Sequence, residues 1–519
     1  MTLALCALLL SAITAGCGGG GSSSSAGGAS TGGGENEASG TITKGGTLNI
    51  SLGPEVGNLS AIQALDGTDL SVASQINEPL FKENTEGKVV PWLVEKSEAA
   101  KRDTEFTFHL RKGVEFSDGK PMTSADVLWT LETDRHAPEW EGLLETIKSV
   151  KAPAEDEVVV TTSQPFPELT VILSQWSFAV MPKDYGGVSA QQFNKEPIGT
   201  GPFMFTAHKS GESLTLEKNP HYWQSGKPYL QKVVFHTVDN ANSRAQQLQA
   251  GALDAVLGPP WALVESIENN PETEFADFPE GYGKIIYVNA KSPFGSNRNA
   301  REALNLAIDR EALVESVLVG HGQPAGNLIP PPIPGSDPSV KAPEYNPEKA
   351  KELVAKAVKE GFKPELTLTM GVGDEFWGVA GQALQQELEE VGIKTKIQPL
   401  DESTFVDKLF EGEYEAGLGY FTSAVPTPAE AFGFYLAVNS YFTQAPPQKI
   451  AKLLSEATVE PNDQKRKEIY NDMQHLVAEE QYLQPTVYSP FPWGLSSKVK
   501  GLHVGAIGIP WLIETYIEE

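Results

Sequence analysis

The chain has 519 residues, of which 40% are hydrophobic and 21% charged, and a formal net charge of −28. A single hydrophobic core stops growing near ~250–300 residues, so at least two lobes are expected. An acidic surface of this size repels phosphate backbones and anionic lipid, which argues against nucleic acid or a charge-bound membrane surface as partner.

The first elements form a leader. Residues 3–15, LALCALLLSAITA, are an apolar run too short to span a bilayer as a helix. The run ends in Thr14-Ala15-Gly16 before Cys17, so residues 1–16 read as a signal peptide. Small residues before a cysteine resemble the lipobox of bacterial lipoproteins, which implies lipidation at Cys17. Thr14 stands where an aliphatic residue is usual, and no Lys or Arg precedes the apolar run. Residues 17–43 then hold the cysteine and a Gly/Ser-rich tether, Gly18 to Gly40, which cannot bury apolar surface. Cys6 and Cys17 are the two cysteines of the chain, so the folded part has no disulfide framework, thiolate metal site or cysteine nucleophile.

From Lys44 the texture changes, and GGTLNISL opens a strand. Residues 104–111 alternate, with Phe106, Phe108 and Leu110 on one face and Thr107, His109 and Arg111 on the other, as a half-buried strand requires. Asp118-Gly119 predicts a turn. Thr123 and Asp126 form a capping-box pattern ahead of a helix that turns Val127, Thr130 and Leu131 to one side. A phosphate loop is excluded in this stretch. Five residues separate Gly113 from Gly119, Pro121 follows Lys120, and no hydroxyl is placed for a metal ion. His109 has no second histidine at ligand spacing, and none of the eight histidines forms HxH or HxxxH.

A helix is predicted from about Asn299 to Leu318, with Leu304, Ala307, Ile308, Val314, Val317 and Leu318 on one stripe. Farther on, Glu365–Met370 and Lys394–Leu400 read as strands. Between them Val379, Ala383, Leu384, Leu388 and Val391 recur at helical spacing, a strand–helix–strand crossover that implies parallel pairing.

Five blocks in order resemble the family 5 extracellular solute-binding proteins of ABC importers, the oligopeptide, dipeptide and nickel group. They are FTFHLRKGVEFSDGKPMTSADV from Phe106 to Val127, PIGTGPFMF from Pro197 to Phe205, and LEKNPHYWQSGKPYLQKVVF from Leu216 to Phe235. QQLQAGALDAV with Gly251 and Asp254 follows, and then the run carrying Asn289, Pro293, Phe294, Arg301, Ala303 and Ala307 to Arg310.

The resemblance implies an α/β fold, a two-lobed clamshell of the periplasmic binding protein type II, with an extra α/β subdomain on the first lobe. Lobe I would comprise 44–75, 196–288 and 487–519, the subdomain 76–195, and lobe II 289–486, with hinge crossings near 286–292 and 484–490. It implies a monomer with no catalytic residue, metal or cofactor, which captures a solute between its lobes. A membrane permease and its ATPase would be the partners, and the lipid anchor would hold the protein outside the cytoplasm.

Three loops carry groups suited to the solute. They are GDEFWG (373–378) with Glu375, Phe376 and Trp377, SQWS (174–177) with Trp176, and GYFTSAVPTP (419–428) with Tyr420, Phe421, Thr422, Ser423 and Thr427. Trp92 and Trp223 are assigned to packing. Peptide binders of the family commonly hold the ligand's amino group with an aspartate in the last loop. Here Thr427 takes that place, and the nearby acids are Glu415 and Glu430. A peptide-like solute therefore leads if Glu375 or Glu415 replaces the missing acid, because a buried ammonium without a partner is costly. An oligosaccharide or another non-peptide solute is the alternative, and a chelated metal is a weaker one. Of other classes, a receptor that uses the clamshell without transport and a two-carboxylate glycosidase are the rivals.

Overall fold

The computed structural model describes residues 42–518 apart from 65, 85–86, 139, 279–280, 373–374, 423–425, 437–441 and 445–447; the side chains of 141, 142, 375 and 402 also fall outside the description. The leader, Cys17 and the tether through residue 41 lie outside the described residues, as does Ser423.

Three sheets organise the chain. The first has seven strands in the spatial order Thr273–Phe278, Phe491–Ser496, Ala255–Leu257, Thr47–Gly53, Lys232–Thr237, Ser213–Lys218 and Phe203–Lys209. At its centre Thr47–Gly53 pairs in parallel with both neighbours. Residues 50–53 are buried one after another, as a parallel strand covered on both faces must be.

The second sheet has six strands, ordered Gln323–Pro324, Leu483–Tyr488, Tyr282–Val288, Ala416–Thr422, Glu365–Gly371 and Lys394–Leu400. The third is an antiparallel four-stranded sheet of Val94–Ala100, Glu105–Leu110, Glu157–Thr162 and Ile147–Ala154. It carries its own core of Phe106, Phe108, Leu110, Val127 and Leu131. Here the alternation and the capping box predicted for Phe106–Trp129 are both present, with Thr123 and Asp126 bonded reciprocally.

The first and second sheets meet at two chain crossings. One lies between Phe278 and Tyr282, and the other between Tyr488 and Phe491, across Ser489-Pro490. The first therefore falls ahead of the expected 286–292. Tyr282–Val288, expected in lobe I, pairs with Ala416–Thr422 and Leu483–Tyr488 and belongs to the second sheet.

Two of the resembling blocks have a mechanical explanation. A Cβ at Gly199 would stand 2.0 Å from the carbonyl oxygen of Ile76, and one at Gly201 2.6 Å from that of Gln75. The GTGP element lets this backbone lie against the end of the helix Gly67–Ile76. In the Ala307–Arg310 block the predicted long helix is two helices, Arg298–Leu306 and Arg310–Val317. Asp309 caps the second by accepting from the Ala312 amide at 2.9 Å. Arg310 is buried and donates to the carbonyls of Asn305 (3.0 Å) and Pro485 (3.1 Å), pinning the helix pair to the strand that leads to the second crossing. The six stripe residues named from sequence are all buried, because the break preserves their facing.

The strand–helix–strand crossover is present: Glu365–Gly371 and Lys394–Leu400 pair in parallel around the helix Glu375–Glu390. Leu384, Leu388 and Val391 of the predicted stripe are buried, and Val379 and Ala383 are not. Phe376, Trp377, Ala380, Leu384 and Leu388 face the sheet, whereas Ala383 is exposed and Val379 is 58% exposed. Centring the buried arc on Val379 and Ala383 would keep Phe376 inside but turn Trp377 outward. Burying the indole in place of a valine and an alanine removes more apolar surface from water.

Candidate functional site

Where the second sheet approaches the crossings, its side chains stop being uniformly apolar. Along Tyr282–Val288, Ile286 and Val288 enter the core beneath the helix Glu375–Glu390. Two and four residues earlier on the same face stand Lys284 and Tyr282. Register pairs Tyr282 with Thr422 and Lys284 with Tyr420. Opposite residues share a face, so these four side chains form one wall. Tyr282 stacks on Tyr420 with ring centres 5.6 Å apart and meets Phe491 of the first sheet at 4.6 Å. Lys284 is 8% exposed, and its ammonium donates to the Tyr282 hydroxyl at 3.1 Å and sits over the Phe376 ring at 5.5 Å. The wall presents aromatic faces and one ammonium beside the junction of the two sheets.

The sequence-selected residues divide between wall and core. Tyr420 and Thr422 belong to the wall. Phe376, 4% exposed and packed in the core behind it, Trp377 and Phe421 do not, and this corrects their expected role. Trp377 is fully buried, and its indole donates to the Gly419 carbonyl at 2.8 Å. Phe421 is 1% exposed and points to the opposite face, into the core with Ile285 and Phe432. It packs over Gly283, where a Cβ would stand 2.5 Å from its ring. Strand alternation dictates that split, since neighbours 420, 421 and 422 cannot share a face.

Glu415 precedes the strand Ala416–Thr422 at the end opposite the 423–427 loop, and it accepts from the Thr367 amide at 2.8 Å. It is therefore removed from the cation-partner role. Glu375 opens its helix, and its side chain lies outside the described residues.

Thr427 is buried, and its hydroxyl is engaged by the subdomain: it donates to Glu168 Oε1 at 2.6 Å. Tyr470 donates to Glu168 Oε2 at 2.7 Å, and Arg466 Nε lies 3.9 Å from Oε1. One subdomain carboxylate thus meets three groups from the second sheet's lobe. A further link between the lobes is His321, whose Nδ1 lies 3.1 Å from Asp277 and whose ring stacks near Trp261.

Trp176, 7% exposed, lies in a different place from the wall. It helps enclose the Lys82 ammonium, which sits 4.3 Å from the Trp511 ring, 4.5 Å from Trp92 and 5.4 Å from Trp176. Burial lowers Lys82 to about 8. Behind it Glu78 accepts from the Trp92 indole (2.8 Å), the Tyr222 hydroxyl (2.9 Å) and the Trp223 indole (3.1 Å), while burial pushes its carboxyl up. Trp92 and Trp223 pack edge to face at 5.3 Å. The space left among these groups holds no more than about one water.

Lys284, Tyr282, Glu168 and Lys82 escaped sequence reasoning. Lys284 was within reach of it, as a lone charge in the apolar run YGKIIYV. Glu168 was not, because its partners Thr427 and Tyr470 stand 259 and 302 residues away.

Two lobes built on separate sheets and joined by two chain crossings have the architecture of a solute-binding clamshell. The model of the bacterial extracellular solute-binding proteins, family 5, matches residues 88–442, and the chain belongs to that family. It is 28% identical over 494 residues to the di/tripeptide-binding protein 1 of Pseudomonas aeruginosa, covering 84% of this chain and 90% of the relative. Among solved structures it is similar to the ABC transporter substrate-binding protein CtaP of Listeria monocytogenes, with a TM-score of 0.83, 23% identity, and 92% and 100% of the two chains covered. It is also similar to the periplasmic binding protein AgaA of A. tumefaciens R10, solved with agropinic acid, with a TM-score of 0.77, 26% identity, and 91% and 99% covered. The fold is that of the type II periplasmic binding proteins. Among the described residues no helix is long and apolar enough to cross a membrane.

Proposed function

We propose that this protein is the binding component of an ABC importer, which captures a peptide-like solute between its lobes and delivers it to a membrane permease. The observation that carries the reading is the wall of Tyr282, Lys284 and Tyr420 beside the two crossings. Its ammonium matches a carboxylate, and its rings offer flat apolar area to peptide groups and side chains. A ligand that touches both lobes favours their closed arrangement, and closure makes a surface for the permease to recognise. Neither step needs catalysis. Cys17, lipidated, tethers the monomer outside the cytoplasm through the Gly/Ser segment. The 28%-identical relative named for di- and tripeptides supports a short peptide.

A non-peptide solute is the second reading. AgaA, 26% identical and solved with agropinic acid, favours it, as does the absence of an acid at Thr427. Native mass spectrometry of the gently purified full chain separates the two, followed by calorimetric titration with a di- and tripeptide panel. Retained peptide masses and saturable peptide binding are expected. A single non-peptide mass, with no peptide binding, overturns the leading reading.

A further inference from the structure

The geometry points to Glu168 as the residue that positions the subdomain on lobe II during capture and sets how slowly a captured solute leaves. This inference rests on the clamshell reading above.

Glu168 belongs to the subdomain by packing as well as by sequence. The residues that follow it, Leu169, Ile172 and Leu173, are buried in the subdomain core, and its carbonyl accepts from the Ile172 amide at 2.9 Å. Its carboxylate points the other way. It is 8% exposed and spans two separate elements of lobe II. One is Thr427, which also accepts from the Ala429 amide at 3.2 Å at the start of the helix Pro428–Leu436. The other is Tyr470, on the helix Asp463–Glu480.

Each carboxylate oxygen receives one hydroxyl at 2.6–2.7 Å, the short range of charge-assisted bonds. The cation is Arg466, which also bonds the Asp463 carboxylate at 2.7 Å. Moving the lobes apart would break both hydroxyl bonds together, because both donors sit on one lobe and the acceptor on the other. A carboxylate bound in this way is satisfied by the two lobes themselves, without any atom of a solute. It therefore adds to closure independently of what is captured. Such a contact slows dissociation, which requires opening, more than it alters association, which starts from the open form.

The test reads closure and exchange separately. Fluorophores are attached through Asp156→Cys in the subdomain and Glu348→Cys in lobe II, in a full chain carrying Cys6→Ser and Cys17→Ser; both positions are solvent-exposed. With no solute added, Glu168→Gln, Thr427→Val and Tyr470→Phe should each shift the transfer efficiency toward longer separation. The double variant Glu168→Gln/Tyr470→Phe should shift it no further than Glu168→Gln alone. With the tripeptide Ala-Ala-Ala as probe, the dissociation rate should rise about tenfold and the association rate stay within twofold.

Unchanged transfer efficiency in Glu168→Gln, or fully additive shifts, would overturn the assignment. A closure shift without any tripeptide binding would sustain Glu168 and count against the peptide reading instead. The two Glu168 partners provide variants on the other lobe should Glu168→Gln fold poorly.

Discussion

The indole of Trp377 donates to the carbonyl of Gly419 at 2.8 Å, which ties the first turn of the helix Glu375–Glu390 to the strand that carries Tyr420 and Thr422. The ring is fully buried and is part of what holds the aromatic wall in place. Trp377→Ala should therefore cost about 3–5 kcal/mol of stability, as large aromatic truncations in cores do. Trp377→Phe should cost roughly 1–3 kcal/mol, largely through the carbonyl left unpaired. Urea titration of both variants measures this, and an unchanged midpoint for Trp377→Ala would place the ring outside the core.

Lys284 gives the opposite pattern. Lys284→Met keeps the length of the side chain in its apolar setting and removes the ammonium from the wall. Affinity for a carboxylate-bearing solute should fall at least about tenfold, the equivalent of ~1.4 kcal/mol. The melting temperature should fall by less than in Trp377→Ala. Calorimetric titration beside thermal unfolding separates the effects, and full affinity in Lys284→Met would remove Lys284 from the site.

Glu83 makes stability depend on pH. Burial pushes its carboxyl up from 4.5 to about 7, despite a hydrogen bond with the Ala506 backbone. The folded state then holds the proton more tightly than the unfolded state does. Below about 4.5 both states are protonated and the group contributes nothing. As pH rises through about 7, the folded state bears a growing penalty, up to roughly 3 kcal/mol. Glu387, also raised to about 7 by burial, acts in the same direction. The wild type should melt higher at pH 5 than at pH 8, and Glu83→Gln should narrow that difference. An equal pH dependence in Glu83→Gln would sink the assignment.

Asp134 is fully buried, and neither of its carboxylate oxygens has a hydrogen-bond partner among the described residues. Burial raises its carboxyl far above the usual range, because no partner offsets the loss of water. Asp134→Leu should stabilise the protein by roughly 1–3 kcal/mol, the desolvation cost of a buried unsatisfied group. A lower melting temperature in this variant would show that the carboxyl has a partner in solution.

Cys17→Ser should move the protein from the membrane fraction to the soluble fraction of cells. Stable attachment needs more than one acyl chain, and lipidation of this cysteine would be its source. Continued retention in the membrane fraction would refute the anchor.

Local signals in the chain were legible in proportion to how local their causes are. The alternation of Phe106, Phe108 and Leu110 and the Thr123–Asp126 box depend on neighbours a few residues apart, and both are present. The long helix across Ala307 failed because a single capping residue, Asp309, outweighs a continuous apolar stripe. The stripe of the helix at Glu375 holds at Leu384, Leu388 and Val391 and fails at Val379 and Ala383, because burying Trp377 removes more apolar area than burying those two would. The wall was half legible, since strand alternation separates Tyr420 from Phe421 once register is known. The Glu168 contact, like the Lys82 enclosure that joins Trp92, Trp176 and Trp511, depends on distant segments meeting, and no sequence period marks it.

The strand Phe491–Ser496 lies between Thr273–Phe278 and Ala255–Leu257, so the last segment of the chain fills an interior position of the first sheet. Lobe II, by contrast, is one uninterrupted segment from Tyr282 to Tyr488. During synthesis lobe II has all its strands before the first lobe does, and the first sheet stays split until the C-terminus arrives. Until then the first sheet lacks the strand that joins Thr273–Phe278 to Ala255–Leu257. Chains ending before Phe491 should accordingly retain a protease-resistant lobe II while the N-terminal half is digested.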